Sequence, residues 1–302
     1  MKIVFLGTGG TYPSKVRNVT SVAVQLPGEV VMFDCGEGTQ RQLMRSSVSF
    51  MKIRKIFISH LHADHFLGLP GLIQSMSLNG REQALSIYGP RGTKRNVSSM
   101  LALGYFRPGF SVTTKDLKPG GSVNFETYTV RCAKADHSVP CLAFSLEEGP
   151  RAGRFDLKKA RKLGIPEGPL FRRLQEGRPV RLGSTTIMPE EVLGPRRSGR
   201  KIVYSGDTKP SREIIRLARD ADVLIHDCTL DSSHAAMAAD FGHSTASEAA
   251  QVAKAAGARR LFLVHISPRY DDHSVLEDEA RRVFKASTVA QDLEEFSVKY
   301  HD

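Results

Sequence analysis

The stretch that decides the fold is Arg54-Lys55-Ile56-Phe57-Ile58-Ser59-His60-Leu61-His62-Ala63-Asp64-His65, in which an apolar run leads into three histidines and an aspartate. The run from Arg54 to Ser59 predicts a strand. Just after it, His60 and His62 can point the same way, while Asp64 and His65 follow on a turn and can face a neighbouring position. Imidazole and carboxylate suit Zn²⁺ and, to a lesser degree, Mn²⁺ or Fe²⁺. A chance cluster on a solvated loop is the alternative, but three of the ten histidines within six residues favour a metal site.

Further metal ligands must come from elsewhere in the chain, because four local side chains cannot complete two metal shells. His137 follows a predicted strand that ends near Cys132, and Asp207 follows the predicted strand from Lys201 to Ser205. His265 ends the apolar run from Leu261 to Val264. A lone histidine at a strand end is more often structural. As a set, however, these residues all sit at strand ends, like the first cluster, and this favours one shared site.

The hydrophobic pattern of the rest of the chain predicts an α/β fold. Strands are predicted at 2–6, 20–26, 29–33, 122–131, 141–146, 201–205, 222–226 and 261–264. Helices are predicted at 69–78, 93–103, 211–220 and 274–285. Thr245-Ala246-Ser247-Glu248 is a capping box that opens a further helix, which ends near Gly257. Polar chemistry repeatedly follows strand ends, where α/β folds place their sites.

The positive charge of the chain is concentrated in one segment. The 302 residues contain 43 Lys and Arg and 32 Asp and Glu, for a net charge of +11. Residues 151–182 hold ten of the basic and three of the acidic residues, so this segment alone carries +7. Such a patch is typical of a protein that binds a phosphate backbone. The alternative is a solvated basic face without a partner.

The same basic segment is rich in Gly and Pro, which predicts an irregular arm inserted into a folded core. Within it, Phe155 to Leu163 predicts a short helix and Leu170 to Gln175 a short turn. We therefore expect residues 1–302 to form a single domain with an arm at about 151–182.

Composition excludes several classes of protein. With 40% apolar and 25% charged residues, the chain is neither disordered nor collagen-like. No apolar run approaches the roughly 18 residues that span a bilayer, so no membrane association is expected. The apolar stretch after Met1 is too short for a signal peptide. The four cysteines are scattered without a CxxC pair, which indicates reduced thiols in a cytoplasmic protein.

The pattern H-x-H-x-D-H after a strand, followed by isolated His, Asp and His, resembles the metallo-β-lactamase superfamily. The resemblance implies a four-layer αβ/βα sandwich with a one- or two-metal site at the edge of two facing sheets. It implies that one metal is bound by His60, His62 and His137. The second would be bound by Asp64, His65 and His265, with Asp207 bridging both. The implied cofactor is two Zn²⁺ per subunit, with Mn or Fe as alternatives.

Other segments resemble one family within that superfamily. Pro13-Ser14-Lys15-Val16-Arg17-Asn18 matches the PxKxRN loop of the ribonuclease Z family, the endonucleases that process transfer-RNA 3′ ends. The segments Gly7–Gly9, Asp34–Gln40, Ser205–Thr208 and His243–Thr245 are also similar to that family. Residues 151–182 stand where the family inserts its flexible, substrate-gripping arm (exosite). The resemblance implies a cytoplasmic homodimer that cuts the trailer from precursor tRNA, leaving a 3′-hydroxyl on the tRNA and a 5′-phosphate on the trailer.

The resemblance also implies roles for three polar residues of the site. Asp64 would bind metal and accept the proton of the attacking water, and His243 would be the general acid for the leaving ribose 3′-oxygen. Asp227 stands where the family often has Glu, and its shorter side chain would have to reach His243. Alternatively, His243 is a structural residue near a helix start. The positive helix end lowers the pKa of His243, which opposes an acid role unless Asp227 compensates.

Substrate contacts are implied on two surfaces. On the body of the chain they are Lys15, Arg17, Asn18 and Thr245. On the arm they are Lys158, Lys159, Lys162, Gly168, Pro169, Arg172 and Arg173. Two other functions stay open: a phosphodiesterase of the same superfamily acting on small diesters, and a non-catalytic RNA-binding protein with a structural metal. The basic arm favours RNA over a small diester, and the full ligand set favours catalysis over binding alone.

Overall fold

The chain was analysed as a computed structural model that describes residues 1–301. Its strands are β1 (Lys2–Gly7), β2 (Ser21–Leu26), β3 (Glu29–Phe33), β4 (Ile53–Phe57), β5 (Leu85–Gly89), β6 (Val112–Asp116), β7 (Ser122–Asn124), β8 (Tyr128–Lys134), β9 (Leu142–Glu148), β10 (Val180–Leu182), β11 (Thr185–Ile187), β12 (Lys201–Tyr204), β13 (Val223–Asp227), β14 (Leu261–Val264), β15 (Ser287–Val289) and β16 (Glu295–Ser297).

The α-helices lie mostly between these strands. They are α1 (Thr39–Arg45), α2 (Ala63–Phe66), α3 (Leu69–Leu78), α4 (Thr93–Leu101), α5 (Leu157–Lys162), α6 (Pro169–Gln175), α7 (Arg212–Leu217), α8 (Ala235–Phe241), α9 (Ala246–Ala256) and α10 (Ser274–Val283). Single 3₁₀ turns occur at Phe50–Lys52, Pro189–Glu191 and Ser232–His234. No helix among residues 1–301 is long and apolar enough to cross a bilayer.

Two seven-stranded mixed sheets face each other. The first has the order β16-β1-β2-β3-β4-β5-β6 and the second β15-β14-β13-β12-β9-β8-β7. Large aromatic side chains fill the space between them, and the Phe33 and Phe144 rings stack with their centroids 6.0 Å apart. Helices α3 and α4 cover the outer face of the first sheet, and α7, α9 and α10 that of the second. The layers therefore run helix, sheet, sheet, helix, which confirms the predicted four-layer sandwich.

The order of strands explains where a site can form. In the second sheet β12, β13 and β14 are neighbours and parallel, so their carboxyl ends lie at one edge. In the first sheet β3, β4 and β5 are also parallel. Ser59, just beyond β4, accepts a backbone hydrogen bond from Leu142 at the start of β9, at 2.9 Å. This contact joins the two sheets beside the strand ends that carry the polar residues.

Several predicted elements occur with the expected or nearly the expected bounds, and one predicted strand is divided in two. The helix predicted at 69–78 and the strand predicted at 261–264 occur as α3 and β14. The single strand predicted at 122–131 is wrong. It is a hairpin in which β7 and β8 pair antiparallel, with Ser122 opposite Arg131. The run Phe125-Glu126-Thr127 between them turns the chain, although it contains neither Gly nor Pro.

The inserted segment folds as a small unit between β9 and β12. It contains α5, α6 and the antiparallel pair β10–β11. Its own apolar core is formed by Ala160, Ile165, Phe171, Leu174, Val180, Ile187 and Val192. Its two ends are paired, since the backbone of Arg151 hydrogen-bonds with that of Arg197 and Phe155 bridges to Leu193. The folded arm therefore extends from 151 to about 197, beyond the 151–182 that the charge pattern marked, and the predicted turn at 170–175 lies within helix α6.

Candidate active site

Seven His and Asp side chains meet where strands of the two sheets end. The backbone from β4 leads to His60 and His62, and the short helix α2 carries Asp64 and His65. The remaining three follow strands of the second sheet: His137 comes after β8, Asp207 after β12 and His265 after β14. These residues were expected from the sequence to share one site at strand ends, and the structure brings their side chains together there.

The first group of ligand atoms is built around His62. Its Nδ1 atom lies 3.0 Å from Nε2 of His60 and 3.2 Å from Nε2 of His137. Oδ2 of Asp207 lies 3.5 Å from Nε2 of His60. Three nitrogens and one carboxylate oxygen thus surround one point, and these four residues form a set that could hold a metal ion.

The second group shares the same oxygen of Asp207. Oδ2 of Asp207 lies 3.3 Å from Nε2 of His65 and 3.2 Å from Nε2 of His265. Oδ2 of Asp64 completes the group at 3.5 Å from His65 and 3.3 Å from His265. One carboxylate oxygen therefore stands between two clusters, which is the position a bridging ligand needs.

The spacing of these atoms fits divalent metal ions. A tetrahedral metal with bonds of about 2.05 Å separates its ligand atoms by about 3.3 Å, and the measured separations run from 3.0 to 3.5 Å. Nε2 of His65 is buried and has no hydrogen-bond partner, although a buried ring nitrogen is nearly always paired. A cation between the clusters would satisfy that atom.

Asp34 fixes the orientation of the ligands from the first sheet. Its Oδ2 atom accepts hydrogen bonds from Nδ1 of His65 at 2.7 Å, from Ser59 at 2.7 Å and from Tyr204 at 2.6 Å. Because Ser59 donates to Asp34, its oxygen can accept from Nδ1 of His60, 3.0 Å away. Because Nδ1 of each histidine is held by these hydrogen bonds, it is Nε2 of each that faces the site, where the neutral tautomer could bind a metal.

Two more histidines are oriented in the same way. Nδ1 of His137 donates to the carbonyl of Gly242 at 2.9 Å, and Nδ1 of His265 lies 2.8 Å from Oγ1 of Thr229. Gly242 has φ of 78°, and a Cβ there would lie 2.8 Å from Nδ1 of His137, so glycine is required for this approach. Thr229 donates in turn to Asp227 at 2.8 Å. Hydrogen bonds of this kind hold a ligand in its binding tautomer.

The backbone around Asp207 is also specialised. Gly206 has φ of 60°, and a Cβ on it would lie 2.7 Å from that of Ser59, so only glycine allows the turn that delivers Asp207. Burial alone would raise the pKa of Asp207, but the charges of His265 and His65 outweigh it and hold the pKa well below the ordinary value. Asp207 is therefore a carboxylate, as a bridging ligand must be.

His243 forms a dyad with Asp227 beside the ligand clusters. Its Nδ1 atom lies 2.9 Å from Oδ2 of Asp227, which also accepts the backbone N–H of Thr208 at 3.0 Å. Burial lowers the pKa of His243, but the negative charge of Asp227 and the hydrogen bond to it prevail and raise the pKa to about 9. The shorter side chain of Asp thus does reach His243.

A cavity of about 430 Å³ opens onto these groups. One wall is polar and contains His62, Asp64, His137, Asp207, His243 and His265. The lining also contains the apolar side chains of Leu230, Met237 and Phe241. A phosphodiester in this cavity would meet both the candidate cation-binding groups and apolar surface.

Two family models match parts of the chain, and curated relatives match nearly all of it. A family model described as "Beta-lactamase superfamily domain" matches residues 175–266, and one described as "Anti-Pycsar protein Apyc1" matches residues 1–145. The chain is 49% identical over 301 residues to a Ribonuclease Z of Methanosarcina mazei, covering 99% of each chain. It is 48% identical over 302 residues to a Ribonuclease Z of Methanothermobacter thermautotrophicus, covering 100% of this chain and 98% of the relative.

The chain belongs to the ribonuclease Z family. The crystal structure of human tRNase Z, short form, superimposes with a TM-score of 0.74 at 30% identity, covering 99% of this chain and all of the human one. Membership makes the chain an endoribonuclease with the metallo-β-lactamase fold. The predicted family and fold are therefore confirmed.

The loop that carries the PxKxRN motif of the ribonuclease Z family is anchored from within. Lys15 is exposed, but Arg17 is buried and its Nη1 atom donates to the backbone carbonyl of Ala290 at 2.6 Å. The side-chain amide of Asn18 donates to the carbonyl of Glu37 at 2.8 Å. The structure thus differs from the predicted phosphate contact at Arg17, because this guanidinium holds the loop, whereas the Lys15 side chain faces solvent.

Thr245 in the HST motif of the ribonuclease Z family is the N-cap of α9. Its hydroxyl accepts the backbone N–H of Glu248 at 3.3 Å, and the Glu248 carboxylate accepts the backbone N–H of Thr245 at 2.8 Å. The predicted capping box is confirmed, and Thr245 is buried. Thr245 was predicted to contact the substrate. Its hydroxyl is buried and caps α9, so the structure corrects this prediction.

The arm presents its basic side chains to solvent. Lys158, Lys159 and Lys162 on α5 and Arg173 on α6 are exposed, and none forms an ion pair within residues 1–301. Arg172 is exposed but pairs with Glu176 at 3.0 Å. Gly168 and Pro169 stand at the start of α6, distant in sequence from the candidate metal-binding residues.

Sequence reasoning missed several residues that position the site. Asp34 begins the family-like segment Asp34–Gln40, but the sequence indicates no role for it, and its φ of 58° is a backbone signal that only the structure shows. Tyr204 gave no signal because it is an ordinary polar residue at the end of an apolar strand, and Thr229 was noted only as part of the family-like segment 226–229, without a role. Met237 and Phe241 could have been found as an apolar pair four residues apart in an Ala-rich stretch.

Proposed function

We propose that the chain is the endoribonuclease that cuts the 3′ trailer from precursor tRNA, using two divalent metal ions, with Zn²⁺ as the first choice and Mn or Fe as alternatives. The products would be a tRNA with a 3′-hydroxyl and a trailer with a 5′-phosphate. The substrate follows from the names of the relatives: Ribonuclease Z in two archaea and tRNase Z in human. The observation that carries the proposal is the single oxygen of Asp207 between two ligand clusters.

Seven residues would hold the metals. His60, His62 and His137 would bind the first ion, and Asp64, His65 and His265 the second. Asp207 would bind both, because its Oδ2 atom lies 3.2 to 3.5 Å from nitrogens of the two groups. Bound together, two divalent ions supply Lewis-acid charge for a phosphodiester and favour a nucleophile near neutral pH.

Asp64 would accept the proton of the attacking water. Its Oδ2 atom accepts the backbone N–H of Thr11 at 2.8 Å, and Asp64 lines the cavity together with His265. Burial would raise the pKa of Asp64, but the hydrogen bond with His265 and the electrostatic influence of His65 lower it below its ordinary value. Asp64 is therefore ionised, with its second oxygen free to act on water.

His243 would protonate the leaving ribose 3′-oxygen. Its Nδ1 is tied to Asp227, so the proton for the leaving group would come from Nε2 on the cavity side. Asp227 acts through His243 and is a positioning residue. A raised pKa of about 9 keeps His243 protonated at neutral pH, as a general acid requires. The charge of Asp227 thus opposes the lowering of the His243 pKa that a helix start would cause.

The arm would bind the folded RNA through its phosphates. Lys158, Lys159, Lys162 and Arg173 are exposed and carry no ion pair in the described part of the chain, while Arg172 would exchange Glu176 for a phosphate. Gly168 and Pro169 would place α6 against the RNA, and Lys15 would add a contact on the body. These contacts read the shape of tRNA, while the cut is made at a single-stranded 3′ end.

The proposal includes the organisation of the protein in the cell. Residues 1–302 would form one metallo-β-lactamase domain with its inserted arm, and two copies would form a homodimer in the cytoplasm. The free, buried state of all four cysteines suits a reducing compartment. Light scattering of the purified chain measures the mass, and twice the 33.2 kDa of one chain is the expected result.

The test uses a precursor tRNA with a 3′ trailer. The purified chain is incubated with it, with and without a chelator, and the new ends are mapped. We expect one cut near the 3′ side of the folded tRNA, a 3′-hydroxyl on the tRNA and no cleavage with chelator. An unstructured RNA of the same length is the matched control and should be cut far more slowly. Random cutting of both RNAs, or a 3′-phosphate on the tRNA, would contradict the proposal.

A further inference from the structure

Helix α8 forms an apolar wall beside the candidate active site. Met237 and Phe241 lie four residues apart and so share one face of the helix. Both line the cavity with Leu230, yet Met237 is 38% and Phe241 65% exposed. Hydrolysis of a phosphodiester by His and Asp groups needs no such surface. A ring left exposed at the edge of the catalytic cavity therefore indicates a binding role.

This wall has a fixed position relative to the catalytic groups. The chain leaves α8 through a Schellman-type turn, in which the N–H of His243 donates to the carbonyl of Ala238 at 2.8 Å. Gly242, in the left-handed conformation between Phe241 and His243, gives its carbonyl to Nδ1 of His137. Phe241 is therefore held two residues from the proposed acid by the same turn that orients a ligand.

A cation completes the wall. The guanidinium of Arg269, in the loop after β14, lies 3.5 Å from the sulfur of Met237, and both residues line the cavity. An exposed ring, a polarizable thioether and a guanidinium are groups that contact the flat face of a nucleobase. The ring and the thioether impose no hydrogen-bond pattern that would select one base.

We infer that Phe241, Met237 and Arg269 stack the base of the last nucleotide that stays on the tRNA. The inference rests on the proposed function, because it takes the order of groups from the proposed reaction. His243 would protonate the 3′-oxygen of that nucleotide, so its ribose lies next to His243 and its base reaches the adjacent α8 wall. The first trailer nucleotide lies on the other side of the scissile phosphate, away from α8.

The test begins with F241A in the full-length, metal-loaded chain. Loss of one base–aromatic stack should lower kcat/KM for precursor tRNA by roughly 5- to 150-fold, and F241Y, which keeps the ring, should restore most of it. Y105A is the matched control, because Tyr105 is a fully exposed ring remote in sequence from the site, and it should cleave like the wild type. F241A cleaving at the wild-type rate would overturn the inference.

A substrate change locates the base. Precursors are made with an abasic nucleotide either just before or just after the cleavage position. With the abasic site on the tRNA side, the wild type should lose activity and F241A should lose little more. With the abasic site on the trailer side, the loss of activity caused by the abasic nucleotide and the loss caused by F241A should multiply. The reverse pattern, or effects that multiply at both positions, would overturn the inference. Failure of the wild type to cut the unmodified precursor would refute the proposed function instead.

Discussion

Oδ2 of Asp227 lies 2.9 Å from Nδ1 of His243, while Oδ1 of the same carboxylate accepts the hydroxyl of Thr229 at 2.8 Å. Thr229 in turn contacts Nδ1 of His265 at 2.8 Å. One buried carboxylate therefore positions both the proposed general acid and, through Thr229, one proposed metal ligand. Replacing the longer Glu by Asp at this position keeps both contacts.

The Asp227–His243 pair predicts how cleavage depends on pH. The folded pKa of His243 is raised to about 9, so its protonated form is complete at neutral pH and is lost as pH rises through about 9. In D227N burial remains but the charge that raises the pKa is gone, so the pKa should fall below 6.5. The alkaline limb of the kcat profile should then move to lower pH, with a fall of roughly 10²–10⁴-fold at neutral pH.

The control for this prediction is D227E, which keeps the negative charge and should keep the alkaline limb near its original position. The measurement is single-turnover cleavage of precursor tRNA between pH 6 and about 10, with bound metal determined for each variant. A D227N profile with an unshifted alkaline limb would show that His243 does not donate the proton.

The hydrogen bonds of Asp34 predict that replacing this residue weakens metal binding, although Asp34 itself would not contact the metal. Its carboxylate accepts from His65, Ser59 and Tyr204 and keeps two ligands in the binding tautomer. D34N should weaken metal binding by roughly 10- to 100-fold, the usual effect of removing such a partner. Competition with a coloured chelator measures it. Y204F removes only one donor to the carboxylate and should cost less; equal affinity in D34N and wild type would refute the role.

The basic face of the arm predicts a change in salt dependence. The quadruple variant K158S/K159S/K162S/R173S removes four exposed cations that have no ion pair among residues 1–301. The slope of log KM against log salt concentration should flatten by up to about 0.9 for each phosphate that the variant no longer neutralises. R282S/K285S removes two exposed cations from the body and should leave the slope unchanged. An unchanged slope in the quadruple variant would show that these four side chains do not bind the phosphates of the RNA.

Removing the whole arm separates the two enzyme hypotheses. Residues 151–197 carry twelve Lys and Arg against five Asp and Glu, and their paired ends allow closure by a short glycine linker. The shortened chain should lose cleavage of precursor tRNA but still hydrolyse bis(p-nitrophenyl) phosphate, because the seven ligands all lie outside the arm. Equal loss on both substrates would remove the distinction between a tRNA enzyme and a small-diester phosphodiesterase.

Much of the site could be predicted because strand ends have a fixed place in an α/β sandwich. The His60 cluster follows β4, while Asp207 and His265 each follow a parallel strand of the second sheet, so fold geometry brings them together. The arm was recognisable from charge and Gly/Pro content, which depend only on sequence. Its predicted end at 182 is too early because Ile187 and Val192, which complete its core, are not basic.

Other features depend on tertiary contacts that leave no local pattern. Arg17 resembles any exposed basic loop residue until Ala290 supplies its hydrogen-bond partner from 273 residues away. Thr245 is correctly predicted as a helix cap, yet the cap itself buries the hydroxyl that was expected to meet substrate. Asp34 has its role only because His65 and Tyr204, far apart in sequence, meet at its carboxylate.

The most direct test of the proposed metal mechanism is to count the metal and measure cleavage in the same preparation. Bound ions per chain are measured by mass spectrometry before and after dialysis against chelator, alongside single-turnover cleavage of precursor tRNA, for the wild type and D207A. For the wild type we expect two divalent ions per chain, no cleavage after their removal and recovery on adding Zn²⁺ back; D207A should hold fewer ions and cleave at least roughly 10²-fold more slowly. Cleavage at full rate by the metal-free chain, or by D207A, would contradict the proposal.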